Sequence, residues 1–221
     1  MPGFSWTIFL LLALIFAASS LIFWALVLRA TTHRRWVELG DWASDRQFKV
    51  LSQPRPALPA ALAPLHNLNP RVELELTNGA ISLLRISTDV PAPSDLGPSS
   101  SADAQSPPRA RWHLLLMNIE TTWPATGMRP AQHSTSLLDH FSLSSFPTLL
   151  APERFVIYAA DSAPARMLAN SGLRTLLPPD VGLLLIGNIL LLDFSTRPFD
   201  TIEFGRLIAL ANQLVSHLPA P

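Results

Sequence analysis

The sequence predicts an α+β protein, an N-terminal transmembrane helix followed by an antiparallel sheet with packed helices. Three observations carry this. Residues 4–28 contain no charged side chain. The later chain alternates short strand-like runs with turn signals, as in VELELTNGAISLLRI, and it closes on a long amphipathic stretch after Asp200. The expected organisation is an anchor at 1–29, a juxtamembrane helix with a Pro-rich connector at 30–70, and an α+β domain at 71–218 interrupted by a disordered insertion at 91–111.

The anchor is a matter of length. About 25 residues rising 1.5 Å each reach roughly 37 Å, enough to cross a hydrocarbon core of about 30 Å. Trp6 and Trp24 stand near its ends, where indole rings prefer the headgroup level. Ala17-Ala18-Ser19-Ser20 would suit a signal peptidase, but no basic residue precedes the apolar run, so an uncleaved anchor is expected. Arg29, Arg34, Arg35, Arg46 and Lys49 all follow the helix. Basic residues stay on the cytoplasmic side during insertion, which predicts a single-pass protein of the bacterial inner (plasma) membrane with its C-terminal domain in the cytoplasm.

Composition narrows the partners. Charged residues are 14% of the chain and the formal net charge is zero, against a usual charged fraction of about 25%. A domain so poor in charge presents much neutral surface, which suits the lipid bilayer for residues 4–28 and a protein partner for the rest. No basic stripe with interleaved aromatics argues for nucleic acid. The absence of cysteine fits either redox compartment and excludes thiolate chemistry.

Behind the anchor, Trp36, Leu39, Trp42 and Ala43 recur at helical spacing and predict a short juxtamembrane helix, weakened by Gly40. QFKVLS reads as a brief strand, and the prolines at 54, 56, 59 and 64 allow at most a turn or two of helix. Asn78-Gly79 is the favoured pair for a two-residue hairpin loop, which would set Leu76 opposite Ile81 and Leu74 opposite Leu83. Alternation with Val72, Leu74 and Leu76 then puts Glu73 and Glu75 on a solvated face. Residues 91–111 are crowded with Pro, Ser and Ala, too little apolar mass to offset the entropy of ordering. WHLLLMNIE resumes the sheet, so this segment interrupts a sheet and does not divide domains.

Phe155 to Ala160 read as a strand, Asp161 or Ser162 as the cap of the next helix, and Pro164 as a first-turn residue. Gly172 at the position after the C-cap would pair Leu168 with Leu173, the apolar contact of a Schellman motif. VGLLLIGNILLLDF predicts a second hairpin about Gly187-Asn188, apolar enough to be covered on both faces. Asp200 and Glu203 stand in capping-box spacing ahead of Phe204, Leu207, Ile208, Ala211, Leu214, Val215 and Leu218. That stripe should pack on the sheet, since Arg206 alone supplies a basic residue for a lipid-facing polar side.

Chemistry is weakly signalled. No glycine pattern forms a nucleotide fingerprint, no serine sits in a GxSxG elbow, and no cofactor or metal is expected. HSTSLLDH gathers His133, Ser134, Asp139 and His140, the groups a hydrolytic or metal site would use, but without metal-ligand spacing. Asp161 lies at a strand's end before a helix, where α/β enzymes often carry a carboxylate and where an ordinary cap also belongs. Asp193 stands near the exit of the last strand. The favoured reading is a tethered binding or assembly module without catalysis; the alternative is a tethered hydrolase or metal-dependent enzyme using the His133–His140 segment or Asp161.

Phe146-Pro147, Pro152-Glu153, the helix around Arg166 to Leu168 and the Leu-rich run 183–192 together give the stretch 112–218 a resemblance to an uncharacterised group of bacterial membrane-anchored proteins. Members join one or two transmembrane helices to a domain of unknown function. The resemblance implies an anchored α+β domain and brings no catalytic residue with it. The insertion at 91–111 departs from the compact versions.

Overall fold

The apolar N-terminal run folds as one helix, α1 (Gly3–Asp45), 43 residues long. The protein is described by a computed structural model that covers residues 3–51, 60–91, 109–131, 137–141, 143–146 and 155–219. Two compact units are present, Met1–Asp45 and Arg46–Pro221. Large side chains of α1 stand exposed, among them Trp6, Phe9, Leu14, Phe16, Phe23 and Trp24. Two of its hydroxyls turn back on the helix, Ser19 Oγ donating to the Ile15 carbonyl at 2.8 Å and Thr31 Oγ1 to the Leu28 carbonyl at 2.9 Å, which satisfies these donors without water.

The juxtamembrane helix expected as a separate element is instead the last stretch of α1. Nothing between Arg29 and Asp45 forbids helix: Gly40 costs about 1 kcal/mol and no proline intervenes. An exposed Arg34–Glu38 pair at i,i+4 spacing, 3.0 Å apart, adds a little local support. Gln47, with φ of 60°, ends the run.

The stretch expected as connector also contributes to the folded unit. Strand β1 (Lys49–Leu51) joins the sheet. A 3₁₀ segment, Ala60–Leu68, buries Leu62 and Leu65 completely. Three residues per turn puts those two leucines on one side, with Pro64 inside the segment. Residues 52–59 lie outside the described residues.

Among the described residues seven strands form one antiparallel sheet: β1, β2 (Arg71–Thr77), β3 (Ile81–Pro91), β4 (Arg109–Pro130), β5 (Ser144–Phe146), β6 (Phe155–Ala159) and β7 (Gly182–Asp193). The order is β1-β2-β3-β4-β6-β5, with β7 along the other side of β4. At 22 residues β4 is the spine. Its first half pairs with β3 and its second half with β6, while β7 runs beside both.

The first hairpin exists with a different register. Thr77 faces Ser82 and Leu76 faces Leu83; three residues, Asn78 to Ala80, lie between the strands where two were expected, and Asn78 N donates to the Ile81 carbonyl at 3.1 Å. The Asn78 side chain explains this by accepting from both Ala80 N and Ile81 N, at 3.2 and 2.9 Å, which builds a wider loop than a type I′ turn allows. A bulge between Val72 and Leu74 then re-aims Glu73, and Glu75 is buried at 2% exposure. The solvated face expected for both carboxylates therefore fails for Glu75.

The second predicted hairpin is absent. Residues 182–193 form the single strand β7, and both arms pair with β4: Leu184 with Gly127, Leu191 with Leu116. Gly187 does take a positive φ of 56°, but it serves a bulge opposite Trp123 and the chain does not reverse there. The expectation that both sides of this run are covered holds, for Leu183, Leu184, Leu185, Leu190, Leu191 and Leu192 are at most 1% exposed. Close packing forces Gly127, where a Cβ would stand 2.6 Å from the Leu183 carbonyl oxygen.

One layer of core joins Leu62 and Leu65 to Leu84, Ile86, Trp112, Leu114, Leu137 and Phe141. Helix α2 (Ser162–Asn170) lies against β4 and β6, and α4 (Thr201–Ser216) against β4 and β7. The short α3 (Leu173–Leu176) bridges α2 and α4. Phe204, Leu207, Ala211 and Leu214 are fully buried, as the stripe predicted. Pro91 and residues 109–111, expected inside the disordered insertion, belong to strands; 92–108 lie outside the described residues.

Candidate functional site

Asp161 caps α2. Its Oδ1 accepts from Ala163 N at 2.8 Å, which occupies the carboxylate as the sequence allowed. Gly172 takes φ of 73° after the C-cap residue Ser171, as expected of the position after the cap, and both Leu168 and Leu173 are buried, but Leu173 N donates to Ser171 Oγ. Ser171 assists, its hydroxyl donating to the Leu168 carbonyl at 2.6 Å and accepting from Leu173 N at 3.3 Å.

Of the polar segment 133–140, His133 and Ser134 lie outside the described residues, whereas Asp139 and His140 stand on a 3₁₀ turn, Leu137–His140. They face different neighbours. Asp139 receives Arg129 Nη1 at 2.8 and 3.0 Å, and Arg129 also lies over the Tyr158 ring at 5.4 Å. Burial raises the Tyr158 pKa, with Arg129 opposing and Asp139 reinforcing the rise. His140 meets the edge of Trp112, 6.0 Å between ring centres. Among the described residues no group of three His, Asp or Glu side chains is disposed to hold a metal ion.

Asp193 comes nearest to a catalytic arrangement, since Ser195 Oγ donates to it at 2.5 Å. The triad stops there. His113 offers Ser195 only its backbone N–H, at 3.0 Å, while its ring Nδ1 faces the Arg197 carbonyl at 3.0 Å. Asp193 Oδ2 accepts from Leu137 N as well, so the carboxylate fastens the exit of β7 to the 3₁₀ turn.

A cluster that sequence reasoning missed surrounds His113. Its ring packs 5.7 Å from Phe194 and 5.1 Å from Phe199, and burial lowers its pKa, only partly offset by the Arg197 carbonyl. Phe199 meets Phe204 edge-on at 4.6 Å, and the Arg85 guanidinium lies 5.4 Å from the Phe199 ring centre. Below this, Arg197 grips Asp180 through two hydrogen bonds of 2.6 and 2.7 Å and pairs with the buried Glu203. Those bonds, Asp180's first, lift the Arg197 pKa above its ordinary value. Glu203 thus does not complete the capping box: Asp200 accepts from Glu203 N at 2.9 Å, but the glutamate side chain goes to arginine. The spacing of residues 85, 113, 197 and 199 holds no local signal; strand register pairs Arg85 with His113, and the turn after β7 brings Arg197 and Phe199 to them.

The fold defines a class, an antiparallel α+β domain in a chain that carries one N-terminal helix long and apolar enough to cross a membrane. A crystal structure of the mycobacterial trehalose monomycolate transport factor A, TtfA, has a similar fold. The TM-score is 0.51 over 83% of this chain and 96% of that one, at 10% identity. No protein-family model and no curated protein matches the sequence. At such identity the likeness speaks for the fold and carries no residue role across.

Proposed function

We propose that this protein is a non-enzymatic module, tethered to the bacterial inner membrane by α1 with its domain in the cytoplasm, that binds a protein partner in a membrane-transport assembly. The observation that carries the reading is the contrast within the chain: a helix with exposed apolar side chains over spanning length, and a domain whose conspicuous polar groups are taken up by structural contacts. Asp161 caps a helix, Asp139 holds Arg129, and Asp193 holds Ser195. Each has an ordinary structural task. Arg29, Arg34 and Arg35 directly after the apolar run support the cytoplasmic orientation. The transport factor of similar fold supports the transport setting.

Two measurements test this. Purification of the full chain in mild detergent is expected to bring along a stoichiometric integral-membrane protein, and a chain that purifies alone with a bound metal or hydrolytic turnover would overturn the reading. A phosphatase reporter fused after Pro221 should be inactive in intact bacteria, and activity there would reverse the orientation.

A further inference from the structure

At one end of the sheet three strands bring arginines into register. Arg71 on β2 faces Ser87 on β3, which faces Arg111 on β4; in the next row Arg85 faces His113. Directly paired residues share a face, as do residues two apart along a strand, so these side chains stand on one side of the sheet. Glu73, re-aimed by its bulge, lies between them, 3.1 Å from Arg85 Nε and 3.7 Å from Arg111 Nε. The shorter contact is an ion pair without hydrogen-bond alignment. One carboxylate thus serves two guanidinium groups, and Arg71 adds a third.

Asp89, which accepts from Asn69 Nδ2 at 2.6 Å, stands nearby and keeps its charge, so the three guanidinium groups face two carboxylates and the face retains an excess of one positive charge. It is also accessible: Arg71 is exposed and the Arg111 side chain is 59% exposed. Phe199 and His113 border it, both partly exposed, with Arg85 over the Phe199 ring. Arginine beside a rigid aromatic is the composition of a protein-recognition surface, where planar guanidinium groups meet carboxylates in pairs.

We propose that this face, Arg71, Arg85 and Arg111 with Phe199 at its border, docks an acidic segment of a protein partner. The inference rests on the partner-binding reading and specifies where and by what chemistry the partner is held. Charge complementarity of this kind acts mainly on association rate and specificity, and it weakens with salt.

The test uses the full chain in detergent and a fluorescein-labelled synthetic peptide of alternating Glu and Phe, followed by anisotropy. Binding is expected at low salt and should fall about tenfold in the double variant R71E/R111E, with a shallower salt dependence. The control R166E, on an exposed position of α2, should bind as the native chain does. Thermal melting of each variant checks the fold, and R71Q/R111Q, which removes charge without reversing it, should lie between. Equal peptide binding by native and R71E/R111E chains would overturn the proposal, as would no binding by either. So would displacement of the peptide by short-chain phosphatidylglycerol at matched charge, for the face would then read phosphate headgroups. A partner that copurifies equally with native and R71E/R111E chains keeps the module reading and removes this docking face.

Discussion

Helices α1 and α4 use the same apolar residue types and meet different fates. In α4 the apolar residues fall on one stripe, and Phe204, Leu207, Ala211 and Leu214 vanish into the domain. In α1 they occupy every side over residues 4–28, and Leu10, Leu11, Leu12, Leu14 and Leu21 remain at least 60% exposed. A stripe can be satisfied by one sheet, whereas an all-round apolar surface needs a medium. The difference teaches that angular distribution decides whether a helix belongs to a core or to a bilayer, more than hydrophobicity itself.

The harshest way to break that contrast is to charge each helix at a central leucine. Leu207→Asp puts an unpaired carboxylate where no water reaches and should cost about 3 kcal/mol or more, enough to unfold a marginal domain. Urea unfolding followed by tryptophan fluorescence checks it, and a folded variant of native stability would deny that α4 packs on β4 and β7. Leu14→Arg in α1 should leave the domain's melting unchanged and cost about 3 kcal/mol of membrane insertion instead. Fractionation is the readout: loss from the membrane pellet is expected, and a change in domain unfolding without such loss would contradict the division of labour.

A smaller effect sharpens the comparison at the helix ends. Asp161→Ala removes the acceptor for Ala163 N and should lower stability by about 1 kcal/mol. Asp161→Asn, which keeps an acceptor, should recover most of it. Because the cap is the structural use of Asp161, both variants should copurify with the partner as the native chain does; loss of the partner at native stability would give the carboxylate another role.

Local rules were legible where a residue's partner lies within a few positions. Asp161 with Ala163, Gly172 after Ser171, and the stripe of α4 all depend on spacings that sequence displays. Rules failed where a distant segment competes. Gly187-Asn188 carries a hairpin signal, yet both flanks pair with the one long strand β4, so the glycine bends a strand. The second half of β4, with Pro124 and Gly127, reads as irregular until β6 and β7 are present on either side. At the candidate sites, His140 and Asp139 are neighbours in sequence but turn to Trp112 and Arg129, while His113 and Arg85 meet through the register and Phe199 joins them from the turn after β7. Alternation assigned Glu75 to solvent because it assumed one wet face, and the sheet has covering elements on both.

The smallest expected effect is a dependence of the domain's stability on pH. His113 titrates below its ordinary value of 6.5, first because burial penalises the imidazolium. Arg85 and Arg111 lower it further, against the raising influence of the Arg197 carbonyl and Glu73. The unfolded chain, with a histidine of ordinary pKa, therefore takes up the proton more readily than the folded one. The resulting stability is fully present above about pH 6.5 and is lost as pH falls from there through the depressed folded value. Melting of the native domain should fall between pH 7 and pH 5.5. In His113→Asn, which can still donate to the Arg197 carbonyl but cannot titrate, that fall should be smaller, whatever the variant's stability at pH 7. An equal slope in both proteins would mean that the imidazole is as free to charge in the folded domain as in water, and the packing against Phe194 and Phe199 would have to be looser than these ring distances allow.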